Sequence, residues 1–198
     1  MMRKRKGYPV YPLTVAQKFH LFYQQMCPKK EVVNVGTSLT IEVELDWEQL
    51  AKSINEAYAR SEGMRVRLAK DKEGVWYQYV TDPEEKEIEF VDFSKGTQEE
   101  AEAQMRKWTA KPFKMFDAPL TRVVMIKMPG GFNGVYFLGH HMIVDAQSLI
   151  GFLKDIIELY CSQKYEGVPA PKEMASYIEQ IQKDLAYEAG SKAQLRDA

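Results

Sequence analysis

Apolar residues in this chain recur at two periods, and the switching between them lays out its elements. Over LTVAQKFHLFYQQM, Val15, Phe19, Phe22 and Met26 follow at spacings of four, three and four. That is one face of a helix, with Thr14 placed to cap it. Toward the end of VVNVGTSLTIEVEL the period falls to two: Leu39, Ile41, Val43 and Leu45 alternate with polar neighbours and predict a half-buried strand. Asp46 then opens a helix through WEQLAKSINEAYARSE that turns Leu50, Ile54, Ala57 and Tyr58 inward. MRVRLAKD and VWYQYV flank DKEG, whose Gly74 suits a positive φ, and together they read as a hairpin. EIEFVDF is a further strand, 97–110 a helix stopping before Pro112, and LTRVVMIKM and FNGVYFLGHH two strands around PGG. An amphipathic helix over 146–162 carries Leu149, Phe152, Leu153, Ile156, Ile157 and Tyr160; past EGVPAP, a charged helix runs from about 172 onward. The class is α/β of the α+β kind, a mixed, mostly antiparallel sheet flanked by helices. Trp47, Trp76 and Trp108 fall inside elements and read as core. Tyr77 and Tyr79 share a strand face that either lines a channel or packs.

Composition narrows the setting. With 198 residues, 45% of them hydrophobic, the chain has material for one sizeable core. Its 27 basic and 28 acidic side chains nearly cancel, so no net field draws in nucleic acid or an anionic membrane. The local exception, RKRK at 3–6, reads as part of a frayed basic tail over residues 1–7. Gly7, Pro9 and Pro12 break up the stretch after these cations, and no window reaches the about 18 apolar residues of a membrane helix. Cys27 and Cys161 stand far apart without metal-ligand spacing, which suits reduced thiols and a cytoplasmic location.

Candidate chemistry concentrates in GHHMIVDAQS, residues 139–148, where an apolar strand gives way to a helix. Adjacent residues on a strand project to opposite faces, so one of His140 and His141 can enter a cavity while the other packs inside. Imidazole titrates near neutrality and is the usual general base. Three roles are open to Asp145: capping the helix, orienting an imidazole, or pairing with a cation elsewhere. A metal site is disfavoured, because the two histidines diverge and neither a cysteine nor another histidine adds a third ligand at fitting spacing. The strand–turn–helix elbow of serine hydrolases is missing as well.

The residues carry a further signal. HHMIVDA resembles the HHxxxDG signature of the condensation domains of nonribosomal peptide synthetases, members of the chloramphenicol acetyltransferase-like superfamily. YPLTVAQKFHLF is similar to the family's opening Ser/Thr-x-x-Gln helix start, here Thr14 to Gln17. ARSEGMRVRL resembles RHExLRTxF, matching at Arg65. KPFKMFDAPLTRVVMI resembles the stretch with Pro-Phe followed by Pro-Leu-x-Arg, here Pro112, Phe113, Pro119, Leu120 and Arg122. ASYIEQIQKD is more weakly similar to the segment that begins the crossing into a second half.

The resemblance implies a V-shaped pair of acetyltransferase-like subdomains with a tunnel between them and carrier domains at its two mouths. On that reading residues 1–7 are a tail, 8–165 the N-terminal subdomain, and 166–198 a loop and helix leading toward a C-terminal subdomain that these residues do not contain, so the chain alone should turn over little. Donor and acceptor would arrive as phosphopantetheine thioesters on peptidyl carrier domains; no cofactor or metal is bound directly, and neither nucleic acid nor membrane is a partner. His141 matches the signature's second histidine, which acts on the acceptor amine as base or as a positioning group. His140 is structural. Asp145 matches the aspartate that pairs with an arginine, and Arg65 is the matching candidate, with Arg67 as fallback. Ala146 replaces the signature's glycine but keeps the backbone N–H linked to the developing oxyanion. The same signature occurs in free-standing O- and N-acyltransferases, in epimerisation domains and in degenerate docking domains. His20, near the opening motif, falls at the surface or tunnel edge and is given no role.

Overall fold

A computed structural model describes residues 4–190. In chain order the elements are β1 (Lys4–Arg5), β2 (Tyr8–Pro9), β3 (Tyr11–Pro12), α1 (Val15–Met26), β4 (Asn34–Ile41), α2 (Trp47–Arg60), β5 (Val66–Lys70), β6 (Trp76–Val80), β7 (Glu89–Asp92), α3 (Gln98–Thr109), β8 (Thr121–Lys127), β9 (Asn133–His140), α4 (Ala146–Lys164) and α5 (Tyr177–Glu188). The main sheet runs β4–β9–β8–β7, with β7 parallel to β8 and the other pairs antiparallel. A second sheet, β3–β6–β5, contains the expected hairpin, turned at Gly74 with φ +89°.

The apolar runs of β8 and β9 are explained by burial on both faces. Val123, Met125, Val135 and Phe137 enter the larger core with α2 and α4. Val124, Ile126, Tyr136 and Leu138 meet Ala101, Met105 and Trp108 of α3 on the opposite side. β9 lies so close to β4 that a Cβ at Gly134 would stand 2.0 Å from the Leu39 carbonyl oxygen. Asp46, Thr97 and Asp145 cap α2, α3 and α4 through their side chains. Trp108 is buried in the α3-side core, whereas Trp47 and Trp76 are half-buried against the larger one.

Three expectations are corrected. The strand read in residues 32–45 is confined to Asn34–Ile41 and stops short of its most regular alternation, because its partner β9 begins opposite Ile41 at Asn133, leaving Val43 exposed. The tail expected over residues 1–7 is, in its described part, a hairpin of β1 on β2, with Arg5 Nε donating to Asp117 Oδ1 at 3.0 Å; residues 1–3 lie outside the described residues. Most consequentially, the apolar face of α1 points outward. Val15, Phe19, Phe22 and Met26 are 60–68% exposed, while Gln17 and Gln24 are the buried residues of that helix. Gln17 completes a capping box with Thr14, then exchanges amide hydrogen bonds with Gln78 of β6 and donates to the Tyr177 hydroxyl of α5 at 3.1 Å. A satisfied polar network thereby seats α1 where an apolar face would ordinarily pack.

Candidate functional site

β9 delivers the two histidines and then stops. His140 is its last residue and continues the Tyr136–Leu138 face, so it points inward and is fully buried, edge-on to Phe113. The Met142 N–H donates to His140 Nδ1 at 3.2 Å, which makes Nδ1 the acceptor and puts the proton of the neutral ring on Nε2. Nε2 is buried without a partner among the described residues. Burial, followed by the proximity of His20 and His141, pushes the His140 pKa down to about 4.

The turn beyond is pinned from both sides. His140 N–H donates to the Leu120 carbonyl and His141 N–H to the Val33 carbonyl, each at 2.9 Å, while the N–H groups of Ile143 and Val144 fold back onto the His140 carbonyl. Gly139 is needed here: a Cβ would come within 2.8 Å of both Phe137 and Val144. His141, half-buried, therefore leaves the strand direction and faces an open cleft of about 740 Å³. The cleft is walled by α1 (Thr14, Gln17, His20), the loop after α2 (Glu62), the start of α4 (Asp145) and α5. The imidazole of His20 lies nearly parallel to that of His141, ring centroids 4.2 Å apart and planes inclined by 23°. His141 Nδ1 is buried with no partner among the described residues, so Nε2 is the ring nitrogen left for the cleft.

The structure brings only some of the sequence-derived residues together. Asp145 is exposed, and its Oδ1 accepts the Ser148 N–H at 2.7 Å, while Ser148 Oγ accepts the Asp145 N–H at 2.8 Å. These hydrogen bonds hold its carboxyl below the usual range. The expected Asp145–Arg65 pair is thus corrected to a capping box. Arg65 gives its guanidinium to the carbonyls of Tyr58, Ala59 and Thr81, tying the end of α2 to the end of β6. The fallback Arg67 is buried and donates to the Val66 carbonyl at 2.9 Å. Both arginines line a separate cavity of about 240 Å³ that does not include Asp145. Ala146 is the exposed first residue of α4 and is not among the residues lining the cleft.

Two contributors had no clear sequence signal. Glu62 anchors α5, its Oε2 accepting from Ser176 Oγ at 2.8 Å and the Ile178 N–H at 3.1 Å. The segment expected to lead away from residue 166 thus packs, through α5, onto this same unit. The half-buried Arg60 meets the buried Asp155 of α4 in an ion pair at 3.1 Å. Among the described residues, no group of three or more His, Cys, Asp or Glu is arranged to hold a metal ion, and no helix is long and apolar enough to cross a membrane.

This arrangement has clear relatives. The condensation domain family model matches residues 9–196. A plipastatin synthase of Bacillus subtilis (strain 168) is 24% identical over 177 residues, covering 89% of this chain and 7% of the relative. Surfactin synthase subunit 2 of the same organism is 27% identical over 162 residues, 82% of this chain and 4% of that one. Among solved structures, the first condensation domain of the calcium-dependent antibiotic synthetase superposes with a TM-score of 0.79 at 22% identity, over 92% of this chain and 46% of that one. A single-residue mutant of the starter condensation domain of rhizomide synthetase, in complex with C8-CoA, gives 0.84 at 20% identity, over 93% and 43%. The chain therefore spans less than half of these solved structures, and a small part of the curated relatives. A mixed sheet ending in a pinned double-histidine turn, and a family model matching nearly end to end, lead to one conclusion: this chain belongs to the condensation domain family.

Proposed function

We propose that this chain is the N-terminal subdomain of a condensation domain that joins a carrier-bound acyl or aminoacyl thioester to an amine. The observation that carries the reading is the exposure of His141 to the cleft, with its Nε2 edge available, its own N–H held by the Val33 carbonyl and that of His140 by the Leu120 carbonyl. In the reaction the amine nitrogen attacks the thioester carbonyl, the C–N bond forms, the C–S bond breaks and the pantetheine thiol leaves. His141 accepts or steers the amine proton, a role for which a neutral imidazole is suited. His140 supports the turn from behind, and the Asp145 capping box fixes the start of α4 beside it. Phosphopantetheine enters as the arm of the substrates, not as a resident cofactor.

The partners on this reading are a donor and an acceptor carrier domain and a second subdomain that closes the open side of the cleft. The coverage of less than half of each solved structure supports that last partner. The free cysteines Cys27 and Cys161 fit a cytoplasmic setting.

The test is amide formation from an acyl-pantetheine thioester and a carrier-bound amine, with the chain supplied alone and together with a second subdomain. Product should appear only in the complete assembly, and His141→Ala should lower kcat about 10²–10⁴-fold. Full turnover by the His141→Ala assembly would remove the proposed role.

A further inference from the structure

A general base works when its ring is held at a fixed angle, and the usual device is a hydrogen bond from a third group to the nitrogen that does not react. No described residue offers one to His141: its Nδ1 is buried and unpartnered, and Asp145, the natural candidate, is committed to Ser148. The contact the ring does have is with a second imidazole. His20 covers it face to face at 4.2 Å, and the edge-on Phe19 ring stands 5.7 Å from His20 on its own helix.

His20 is held firmly by its helix. It sits one turn beyond Gln17, whose side chain closes the capping box and is bonded to Gln78 and Tyr177. At the far end Gln24 donates to the Lys30 carbonyl at 3.1 Å, and Lys30 in turn caps the carbonyls of Gln24 and Cys27. α1 is thus fixed at both ends by polar contacts, and His20 projects from its middle over the signature turn.

We propose that His20 is a positioning residue for His141: a plate carried by α1 that fixes the plane of the signature imidazole by stacking where a hydrogen-bonding partner would otherwise do so. The inference rests on the reading of His141 as the residue that acts on the amine. It also gives the Thr14–Gln17 helix start a purpose, since a shift of α1 would carry His20 away from His141. His140 lies behind the pair on β9, and the other titratable groups lining the same cleft are Glu62 in the loop after α2, Asp145 at the start of α4, and Tyr177 and Asp184 on α5. Burial and then the nearby His141 lower the pKa of His20.

The test uses the 198-residue chain and needs no turnover. Imidazole proton and nitrogen resonances are followed across the titration range of histidine in the wild type and in His20→Ala, His20→Phe and His141→Ala. In the wild type the His141 ring protons should carry the upfield shift of a ring stacked above them. That shift should vanish in His20→Ala and return in His20→Phe, which restores a ring without a titrating group. His141→Ala should move the His20 titration upward, toward its ordinary value. Identical His141 resonances in the wild type and His20→Ala would overturn the proposal, as would loss of the shift in a folded His20→Phe. The activity of His141→Ala in the complete assembly separates this from the catalytic reading: if amide formation survives, that reading falls while the stacking result stands.

Discussion

Arg60 of α2 and Asp155 of α4 meet in a two-pronged ion pair, Nε to Oδ2 at 3.1 Å and Nη2 to Oδ1 at 3.2 Å, with the carboxylate side chain only 6% exposed. The pair joins the two helices that cover one face of the main sheet, and Arg60 also reaches the Lys172 carbonyl of the segment leading to α5. An aspartate–arginine lock near the signature is therefore present, but it lies ten residues beyond the signature aspartate and five before the expected arginine.

The first prediction separates the two aspartates. Asp155→Ala leaves the half-buried Arg60 guanidinium with only the Pro171 and Lys172 carbonyls as acceptors and should destabilise the fold by about 2–3 kcal/mol. Asp145→Ala removes an exposed helix cap and should cost about 1 kcal/mol, most of it restored by Asp145→Ser. Urea unfolding of the three variants measures both. A greater loss for Asp145→Ala than for Asp155→Ala would reverse the assignment.

A second prediction concerns His140. An ordinary imidazole titrates near 6.5, whereas burial holds this one down to about 4. The folded state thus refuses a proton that the unfolded chain accepts between those values. The stability associated with neutral His140 is fully present above about pH 6.5 and drains away as pH falls toward about 4, by on the order of 3 kcal/mol. His140→Asn, which keeps an acceptor near the Met142 N–H, should flatten this limb of the stability profile. Parallel pH dependence in wild type and variant would show that some other group controls the acid limb.

The third prediction tests the inverted helix α1. Phe22 is 61% exposed, so Phe22→Ser should change stability by no more than about 0.5 kcal/mol. Gln17→Leu removes the two amide bonds to Gln78 and the bond to the Tyr177 hydroxyl, leaves Gln78 only the Pro12 carbonyl and Tyr177 as partners, and should cost about 1–2 kcal/mol although it adds apolar character. Thermal melts of the two variants decide this, and the hydrophobic pattern read by itself predicts the opposite order.

Much of this architecture is legible in the amino-acid order. The runs at 121–127 and 133–140 announce strands, Gly74 marks the hairpin, and Thr14 and Asp46 announce helix starts that the structure caps as expected. Those features depend on local rules: side-chain direction along a strand, helical spacing, and the reach of a short polar side chain to the third N–H. The strand alternation likewise places the His140 imidazole inside, whereas His141 lies past the strand end and is aimed at the cleft by the turn.

Relations between elements distant in sequence were beyond the reach of that order. β4 ends where β9 runs out of residues to pair with, not where its own alternation ends. The apolar face of α1 turns outward because Gln78 and Tyr177, 61 and 160 residues away from Gln17, complete a polar seat beneath it. Arg60, rather than Arg65, pairs with an aspartate because α2 and α4 meet at Asp155. His20 meets His141 across 121 positions for the same reason. Local chemistry decides which elements form and how each begins, whereas the partner of any given side chain is set by packing, and packing depends on the whole chain at once.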